Sequence, residues 1–247
     1  MRILLNGALG RMGRCFADCA LAQDGVQIAA GVDSAAIAQE QPFPVYADLL
    51  DLPLGADVLV DFSSPVGAKQ ALLWCADAGL PCVICTTGLD AAAARTMDFC
   101  TQRIPVFSSA NLSLGAALMT ELCRVAAAAL GPGFEVDILE QHHRAKADAP
   151  SGTALALAAA AAAAGHGKIC GEADCPLPRP EGTVVLHALR AGTAVGEHEV
   201  RFSGRDEILR ISHTVASREV FARGALAAAR FLICQKPGLY QMKDLIK

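Results

Sequence analysis

The chain of 247 residues is poor in aromatic and charged side chains. Aromatic residues make up 5% of it and charged residues 19%. A core with so few aromatic rings has to be built from alanine, valine, leucine and isoleucine. The net charge of −4 gives no general attraction to nucleic acid or to an anionic membrane. We therefore expect neither as a partner, and an acidic ligand has to be captured by local positive groups.

The sequence also lacks an apolar run of the length that crosses a membrane. The first segment, MRILLNG, is interrupted by glycine and arginine after a few residues, which argues against a signal peptide and a membrane span. The alanine-rich run at 154–164 is too short and too weakly hydrophobic to span a bilayer. The ten cysteines are scattered through apolar segments of a chain too long to need disulfide staples. They are interpreted as buried thiols of a cytoplasmic protein, with Cys15 and Cys19 one helical turn apart.

Short apolar strands alternate with helical segments through the first half of the chain. The first strand leads into a turn with Gly7, Gly10 and Gly13, as in a nucleotide-binding βα unit, although the spacing GxxGxxG is by itself a weak signal. The second strand ends at Asp33, about twenty residues after the last glycine, where dinucleotide-binding folds place the acidic residue that binds ribose. Four successive strands end in small or polar residues. This pattern predicts an α/β fold with a Rossmann-like doubly wound parallel sheet.

Beyond a predicted helix at 114–130, the periodicity changes to that of strands. Strands are predicted at 134–141, 183–190, 197–204 and 207–215, followed by a long final helix. This region is predicted to be a second, α+β domain. We expect one domain to comprise 1–113 with 219–247 and the other to comprise 114–218.

The densest polar chemistry lies at 139–154, between a predicted strand and the alanine-rich helix. It holds His142, His143, Lys146 and a Ser-Gly-Thr turn at 151–153. The hydroxyls and first N–H groups of that helix form an anion site that suits a carboxylate. Taken singly, such a turn is usually only a helix cap and a loop lysine is usually a solvated charge. A plain connection needs no histidine pair, so a functional site is favoured.

Residues 140–154, EQHHRAKADAPSGTA, resemble the signature of the dihydrodipicolinate (4-hydroxy-tetrahydrodipicolinate) reductase family, nicotinamide-dependent enzymes of bacterial and plant lysine biosynthesis. The segment NGALGRMG at 6–13 resembles the first loop of that family, which carries the cofactor pyrophosphate. The similarity runs from about residue 2 to about residue 246, and it includes Arg190-Ala191-Gly192 and Gly196-Glu197-His198.

The resemblance implies a role for each polar residue of the signature. Lys146 would donate a proton, and His142 would position Lys146 or share the proton. His143 would bind a carboxylate of a cyclic imine dicarboxylate together with Ser151, Gly152 and Thr153. The resemblance further implies that the second domain binds substrate and forms a homotetramer through its sheet. Because hydride transfer needs contact between nicotinamide and imine, we also expect the domains to close on each other.

The resemblance also implies a set of cofactor-binding residues at the ends of the strands. They are Gly7, Ala8, Leu9, Gly10, Arg11, Met12, Asp33, Cys85, Thr86, Thr87, Ser109, Ala110, Asn111 and Leu112. Cys85 replaces the first glycine of a family G-T-T-G segment, which puts close backbone contact at that position in doubt. Many relatives have an arginine after the acidic residue, but this chain has Ser34, and Arg11 is the one cation placed to reach a 2′-phosphate. We therefore expect NADH to be preferred over NADPH, because Asp33 would repel that phosphate.

Two other functions remain open on the sequence. A different NAD(P)-dependent amino-acid dehydrogenase with the same two-domain plan, acting for example on diaminopimelate or aspartate, would share the glycine-rich turn but has no need of the histidine pair. A non-enzymatic nucleotide or redox sensor would explain the turn and the thiols. The remaining histidines, His166, His187, His198 and His213, are not spaced as a metal set and are interpreted as structural or surface groups, so no metal is expected.

Overall fold

The computed structural model describes residues 1–35, 41–53, 55–109 and 111–246. The chain divides into two compact units, Met1–Leu112 with Arg218–Lys247, and Ser113–Ser217. Each unit has a sheet and an apolar core of its own.

The strands and helices follow one another along the chain with these bounds. The strands are β1 (Arg2–Asn6), β2 (Gln27–Val32), β3 (Val45–Tyr46), β4 (Val58–Asp61), β5 (Cys82–Ile84), β6 (Pro105–Ser108), β7 (Glu135–His142), β8 (Ile169–Gly171), β9 (Val184–Arg190), β10 (Gly196–Ser203), β11 (Ile208–Val215) and β12 (Gly238–Tyr240). The helices are α1 (Arg11–Leu21), α2 (Pro65–Ala78), α3 (Ala91–Thr101), α4 (Leu114–Leu130), α5 (Gly152–Ala163) and α6 (Glu219–Leu232). Short 3₁₀ turns lie at Leu49–Asp51, Glu172–Asp174 and Met242–Leu245.

The first unit is built on a parallel sheet. Within the described residues its strand order is β12-β6-β5-β4-β1-β2-β3, and every neighbouring pair is parallel. The order β3-β2-β1-β4-β5-β6 is that of dinucleotide-binding folds, in which ligands bind at the carboxyl ends of the strands. The prediction of a Rossmann-like parallel sheet is confirmed.

The helices of the first unit pack in pairs against this sheet. α1 packs on α6, and α2 packs on α3. α2 begins with Pro65, is capped by the Ser64 hydroxyl, and ends at Gly79 with φ of +67°. Proline in the first turn and a left-handed glycine at the end are standard helix boundaries, which is why this helix could be placed from the sequence.

The second unit is a mixed sheet covered by helices. Its order is β11-β10-β7-β9-β8, with β10 antiparallel to both neighbours and β7, β9 and β8 parallel. α4 and α5 pack together, and α5 lies against β7 and β9. Its core includes Val136, Ile138, Leu157 and Phe202. The predicted second α+β domain is therefore present as a mixed sheet with helices.

All ten cysteines lie in the described part of the chain and are free thiols. The expectation that no zinc-type CxxC pair occurs is wrong as to spacing, because Cys82 and Cys85 have CxxC spacing. Cys82 is fully buried inside β5, whereas Cys85 follows the strand and is half-buried. Because Cys82 is enclosed in the apolar core of this unit, the pair is poorly suited to binding a metal ion. Across the described residues, every helix is too short or too polar to cross a bilayer.

Candidate active site

The glycine-rich turn after β1 packs tightly against neighbouring backbone. The N–H groups of Gly7 and Ala8 both donate to the carbonyl oxygen of Val32, at 2.8 and 3.1 Å. Gly7 has φ of +76°, and a Cβ there would lie 2.7 Å from the carbonyl carbon of Phe62. A Cβ at Gly13 would lie 2.1 Å from the carbonyl oxygen of Gly7. Both positions therefore require glycine, and the turn leads directly into the start of α1.

The start of α1 has the properties of a phosphate-binding site. Gly10 precedes the helix with an extended backbone and offers no side chain as a cap. The first N–H groups of the helix therefore point to a ligand or to solvent. Gly10 and Arg11 are exposed, and Leu9 and Met12 are half-buried. These residues fit the pyrophosphate of a dinucleotide, which needs a close approach of backbone donors.

Asp33 follows β2, and its carboxylate is fixed by backbone donors. Oδ2 accepts a hydrogen bond from the Leu9 N–H at 2.9 Å, and Oδ1 accepts one from the Ala35 N–H at 3.0 Å. The carboxylate thus lies beside the glycine-rich turn, with Ser34 exposed next to it. Each oxygen retains a second lone pair that can accept a hydrogen bond from a ribose hydroxyl.

The residues predicted to lie near the nicotinamide follow β5 and β6. They are Cys85, Thr86 and Thr87 after β5, and Ser109, Asn111 and Leu112 after β6. The Ser109 hydroxyl donates to the carbonyl oxygen of Asn111 at 2.9 Å. Ala110 lies outside the described residues. Because β5 and β6 are parallel neighbours, the two segments lie at one edge of the sheet.

Asp61, at the end of β4, forms a buried polar network that the sequence analysis did not single out. Its carboxylate accepts hydrogen bonds from Asn6 Nδ2 at 2.8 Å, from Ser63 Oγ at 2.5 Å and from Thr86 Oγ1 at 2.6 Å. Burial raises the pKa of this carboxyl, and these hydrogen bonds oppose the rise. The network joins the carboxyl ends of the adjacent strands β1, β4 and β5. An acidic residue closing a fully apolar strand was the available signal, because a buried carboxylate needs partners.

The predicted catalytic residues lie where β7 ends. His142 is the last residue of the strand and is buried, whereas His143 and Lys146 are half-buried in the connection that follows. The Lys146 N–H donates to the carbonyl oxygen of His143 at 3.1 Å, which turns the chain back. Lys146 Nζ forms an ion pair with Asp148 Oδ1 at 2.8 Å. The positive charge of Lys146 also contributes to lowering the pKa of His142, so the two groups are within electrostatic range.

The Ser-Gly-Thr turn forms the start of α5. The Ser151 hydroxyl accepts a hydrogen bond from the Ala154 N–H at 3.2 Å and bonds to His198 Nε2 at 3.1 Å. Ser151 is buried, Gly152 is exposed and Thr153 is half-buried. The Ser151 side chain is therefore bonded within the protein, while Gly152 and Thr153, which follow it in the first turn of α5, are more accessible to solvent.

Glu140, Arg190 and His198 complete this cluster, and the sequence analysis had given them no role. The buried Glu140 carboxylate bonds to His142 Nδ1 and pairs with both terminal nitrogens of Arg190, at 2.8 and 2.9 Å. The ring of His198 lies edge-on to that of His142, with centroids 5.2 Å apart. His198 is thus buried in this cluster, which excludes a surface position and agrees with a structural role. His166 is buried, and His187 and His213 are half-buried.

The alternation along β7 was the signal that could have revealed Glu140. Val136, Ile138, Glu140 and His142 share the buried face of the strand. Glu140 therefore occupies a core position, where a carboxylate must be paired. Its partner Arg190 comes from the neighbouring strand β9, where it lies opposite His142 in the register with β7. His198 of β10 lies opposite Glu140 itself in the register of those strands.

Burial and charge set the protonation of the cluster. Burial lowers the pKa of His198 to about 4, and the charge of His142 adds to the decrease. Burial also lowers the pKa of His142, although its hydrogen bond to Glu140 opposes this. For Glu140 burial acts to raise the pKa, but the hydrogen bonds from Arg190, His142 and Ser151 outweigh it, and the pKa is lowered. At neutral pH the cluster therefore holds an ionised carboxylate between neutral imidazoles and a guanidinium.

A metal ion suits this cluster poorly. Ligand atoms of Glu140, His142 and His198 lie within 4.8 Å of one another, which a cation can bridge. The guanidinium of Arg190, however, already occupies both carboxylate oxygens. A divalent cation would have to displace both the Arg190 guanidinium and the His142 N–H from the Glu140 carboxylate.

Comparison with known proteins shows similarity along almost the whole chain. Family models described as "Dihydrodipicolinate reductase, N-terminus" and "Dihydrodipicolinate reductase, C-terminus" match residues 1–112 and 115–246. The chain belongs to the dihydrodipicolinate reductase family. The 4-hydroxy-tetrahydrodipicolinate reductase of Caldanaerobacter subterraneus subsp. tengcongensis is 42% identical over 250 residues, covering 100% of this chain and 98% of that protein. The reductase of that name from Rubrobacter xylanophilus is 39% identical over 265 residues, covering 100% and 98%.

Solved structures share the fold of this dihydrodipicolinate reductase family member. The dipicolinate-bound dihydrodipicolinate reductase of Paenisporosarcina sp. TG-14 has a TM-score of 0.84 at 21% identity, covering 100% of this chain and 99% of that one. The diaminopimelate (DAP) dehydrogenase of C. glutamicum has a TM-score of 0.60 at 15% identity, covering 99% and 93%. At such identities the likeness concerns the fold alone, so the choice between these two activities depends on the family match and on the residues of the site.

Proposed function

We propose that this chain catalyses the NAD(P)H-dependent reduction of 4-hydroxy-tetrahydrodipicolinate (dihydrodipicolinate) to tetrahydrodipicolinate, in the diaminopimelate route of lysine biosynthesis. The observation that carries the proposal is the β7–α5 connection, where the histidine pair, Lys146 and the start of α5 belong to one short segment. Binding a dicarboxylate needs cationic side chains and backbone donors, and reducing its imine needs a proton donor. This segment holds both kinds of group. Membership of the reductase family supports the same activity.

A nicotinamide cofactor fits the carboxyl edge of the parallel sheet. The turn of Gly7, Ala8, Leu9, Gly10, Arg11 and Met12 would hold the pyrophosphate, and Asp33 would hold the adenosine ribose. The segments Cys85, Thr86 and Thr87 and Ser109, Ala110, Asn111 and Leu112 would lie along the nicotinamide half. The reduced cofactor, when bound, supplies the hydride.

The residues of the second unit would bind the substrate and supply the proton. Hydride addition to the conjugated imine drives electron density toward the ring nitrogen and an adjacent carbon, so a proton donor nearby lowers the barrier. We assign this donor to Lys146, with His142 beside it. His143, Ser151, Gly152 and Thr153 would bind substrate carboxylates, and Ser151 would also shape that turn through its cap and its bond to His198.

We further propose that NADH is preferred over NADPH. The support is local: the fixed carboxylate of Asp33 stands beside exposed Ser34, where a 2′-phosphate would meet a negative charge. Arg11 is exposed at the first position of α1 and is the nearest cation in sequence to the turn. The positive charge of Arg11 would weaken the preference for NADH without reversing it.

A cytoplasmic homotetramer is the form that we propose for the enzyme. The ten free thiols support a reducing compartment. β11 is an edge strand of its sheet and exposes Ile208 and Leu209, which are 51% and 43% exposed. An exposed apolar edge strand is suited to pairing with another subunit. The division of roles between residues 1–113 with 219–247 and residues 114–218 belongs to the same proposal.

One coupled assay tests the activity. Dihydrodipicolinate synthase generates the unstable substrate in the cuvette, and the loss of NADH absorbance is followed with and without this protein. Parallel reactions offer diaminopimelate or aspartate with the oxidised cofactor. We expect turnover of excess NADH only in the coupled reaction. Turnover only of an amino acid would identify a dehydrogenase of the same plan, and stoichiometric cofactor binding without turnover would identify a sensor.

A further inference from the structure

The Glu140 carboxylate joins two parts of the candidate site. On one side it bonds to Nδ1 of His142, the last residue of β7. On the other side its Oε1 accepts a hydrogen bond from the backbone N–H of Ser151 at 3.0 Å. Ser151 is the N-cap of α5, where the carboxylate-binding turn begins. One buried side chain thus contacts both the histidine and the turn.

Arg190 holds this carboxylate in place. Its two terminal nitrogens donate to the two oxygens of Glu140, and Nη2 also donates to the carbonyl oxygen of Asp148. A bidentate guanidinium fixes the plane of a carboxylate as well as its position. Glu140 is 2% exposed, so solvent has little part in this arrangement.

The contacts of Glu140 determine which ring nitrogen of His142 carries the proton. The pKa of Glu140 is lowered, because the hydrogen bonds from Arg190, His142 and Ser151 outweigh its burial. An ionised carboxylate only accepts hydrogen bonds, so His142 Nδ1 must be the donor. The pKa of His142 is lowered by burial, so the ring is neutral at pH 7 and Nε2 has the lone pair.

Gly196 lies beside Nε2 of His142, and a Cβ at that position would lie 3.0 Å from Nε2. Because position 196 is a glycine, no side chain of that residue crowds this nitrogen. The charged and titratable groups that face the ring are Glu140 on its own strand, Lys146 in the connection, Arg190 on β9 and His198 on β10. Glu140 is the one acid among these four groups.

We propose that Glu140 is a positioning residue for the reduction: its carboxylate holds His142 as the Nδ1–H tautomer with Nε2 as an acceptor, and in the same contact aligns the start of α5. The inference rests on the proposed function, and it specifies how His142 acts there. With an unprotonated Nε2, His142 orients a proton donor by accepting its hydrogen bond. Lys146, whose ammonium group carries three donors, is then the group that gives up the proton.

The second unit provides a matched control on the same strand. Asp137 of β7 also pairs with an arginine and a histidine, since its carboxylate contacts Arg179 Nη1 at 2.9 Å and His187 Nε2 at 3.0 Å. Asp137 lies on the opposite face of β7 from Glu140. Asp137→Asn therefore perturbs a comparable ionic contact away from the histidine pair.

The test compares Glu140→Gln, Glu140→Asp and Asp137→Asn with the wild type. Nitrogen-15 NMR of ligand-free protein reports the tautomer of His142 without reference to any substrate. We expect the Nδ1–H form in the wild type and a shift toward the Nε2–H form in Glu140→Gln, because the glutamine amide can donate to Nδ1. Glu140→Asp keeps the charge and should restore part of the Nδ1–H form. Asp137→Asn should leave His142 unchanged.

Kinetics supply the second readout. For Glu140→Gln we expect kcat to fall roughly 10- to 100-fold, as for the loss of an outer partner that orients a reactive group. The limb of the pH profile that reports His142 should move to lower pH, because the carboxylate that favours the charged ring is gone. KM should change less than kcat, because the glutamine oxygen still accepts from Ser151. Asp137→Asn should keep the wild-type profile.

Three results would overturn the inference. The first is a wild-type His142 in the Nε2–H form, which is measurable even when no Glu140 variant folds. The second is a Glu140→Gln enzyme with wild-type tautomer and pH profile, and the third is an equal change in Asp137→Asn. If the wild type fails to reduce the substrate while His142 shows the expected tautomer and response, the activity is wrong and the positioning contact stands.

Discussion

The backbone N–H of Leu9 donates to Oδ2 of Asp33 at 2.9 Å and so joins the glycine-rich turn to the end of β2. A carboxylate that was expected to bind ribose is also part of the framework of the turn. The Asp33 carboxylate is fixed in position before a cofactor binds. It cannot move away from a 2′-phosphate without breaking the hydrogen bond to Leu9. We therefore expect this pair of residues to govern the proposed preference for NADH.

Replacement of Ser34 by arginine should change that preference. We expect the wild type to have the higher kcat/KM with NADH, and Ser34→Arg to move the ratio toward NADPH by about tenfold, which corresponds to one partly exposed charge-assisted contact of about 1.4 kcal/mol. Steady-state kinetics with both cofactors provide the measurement. Ser34→Gln, of similar length but uncharged, is the control. A wild type that favours NADPH would mean that Asp33 does not select the ribose.

Lys146 should be needed for the chemical step. We expect Lys146→Ala to lower kcat by roughly 10²- to 10⁴-fold, the range for the loss of a general acid, with cofactor affinity nearly unchanged. The exposed Lys168 of the same unit supplies the control variant Lys168→Ala, which should keep wild-type kcat. Titration of NADH binding by fluorescence checks the affinity. Wild-type kcat in Lys146→Ala would assign the proton to another group.

Thr153 should matter for substrate binding. It lies in the first turn of α5 and is half-buried. Thr153→Val keeps the shape but removes the hydroxyl, so we expect mainly a rise in KM for the dicarboxylate. Thr153→Ser retains a hydroxyl and should stay close to the wild type. An unchanged KM in Thr153→Val, or a loss of thermal stability without a binding defect, would leave this turn as a helix cap only.

Gly13 should tolerate no side chain. Because a Cβ there would lie 2.1 Å from the carbonyl oxygen of Gly7, Gly13→Ala must displace the turn from α1. We expect a loss of roughly 1–3 kcal/mol in the free energy of unfolding and weaker NADH binding. Gly133→Ala is the control, since an added Cβ meets nothing within 4 Å there. Denaturant unfolding and NADH titration measure the free energy of unfolding and the NADH affinity of both variants. Equal values for Gly13→Ala and Gly133→Ala would contradict the close packing at Gly13.

The sequence was sufficient for those parts of the fold that local signals specify. Pro65 and Gly79 bound α2 as predicted, and the predicted helix at 114–130 coincides with α4. The two- and three-residue strands β3, β8 and β12 were not predicted, because periodicity needs more residues than these strands have. β12 joins the sheet through pairing with β6, a contact between residues far apart in the chain.

The site was predictable where its residues are adjacent in sequence and not where strand pairing brings them together. The histidine pair, Lys146 and the 151–153 turn lie in one segment. Arg190 and His198 lie 50 or more residues beyond Glu140 and join this cluster only through the register of β9 and β10 with β7. A single sequence does not fix that register. The assignments of the binding and catalytic residues stay predictions until variants are measured.

The titration of His198 should make the stability of the protein depend on pH in a defined window. Its folded-state pKa is about 4, lowered mainly by burial from the usual 6.5. Between pH 6.5 and 4, His198 therefore binds a proton in the unfolded chain but stays neutral in the folded chain. Its contribution to the free energy of unfolding is fully present above pH 6.5 and is lost as the pH falls toward 4. His187 acts in the opposite sense, since its hydrogen bonds to Asp137 and Glu172 outweigh burial and raise its pKa. His142, His166 and His213 also have lowered pKa values, so the wild-type curve alone mixes opposing contributions from several groups.

Comparison with His198→Gln isolates the contribution of His198. The free energy of unfolding of the wild type should decrease, relative to that of the variant, by up to about 3 kcal/mol between pH 6.5 and 4, which is the full effect of a shift of this size. Urea unfolding at half-unit pH steps measures the difference. His187→Gln, in the same sheet, is the control and should change the curve with the opposite sign, because it removes a histidine that is charged more readily in the folded state. Parallel wild-type and His198→Gln curves across this window would show that His198 is hydrated and titrates normally, contrary to its burial beside Ser151 and His142.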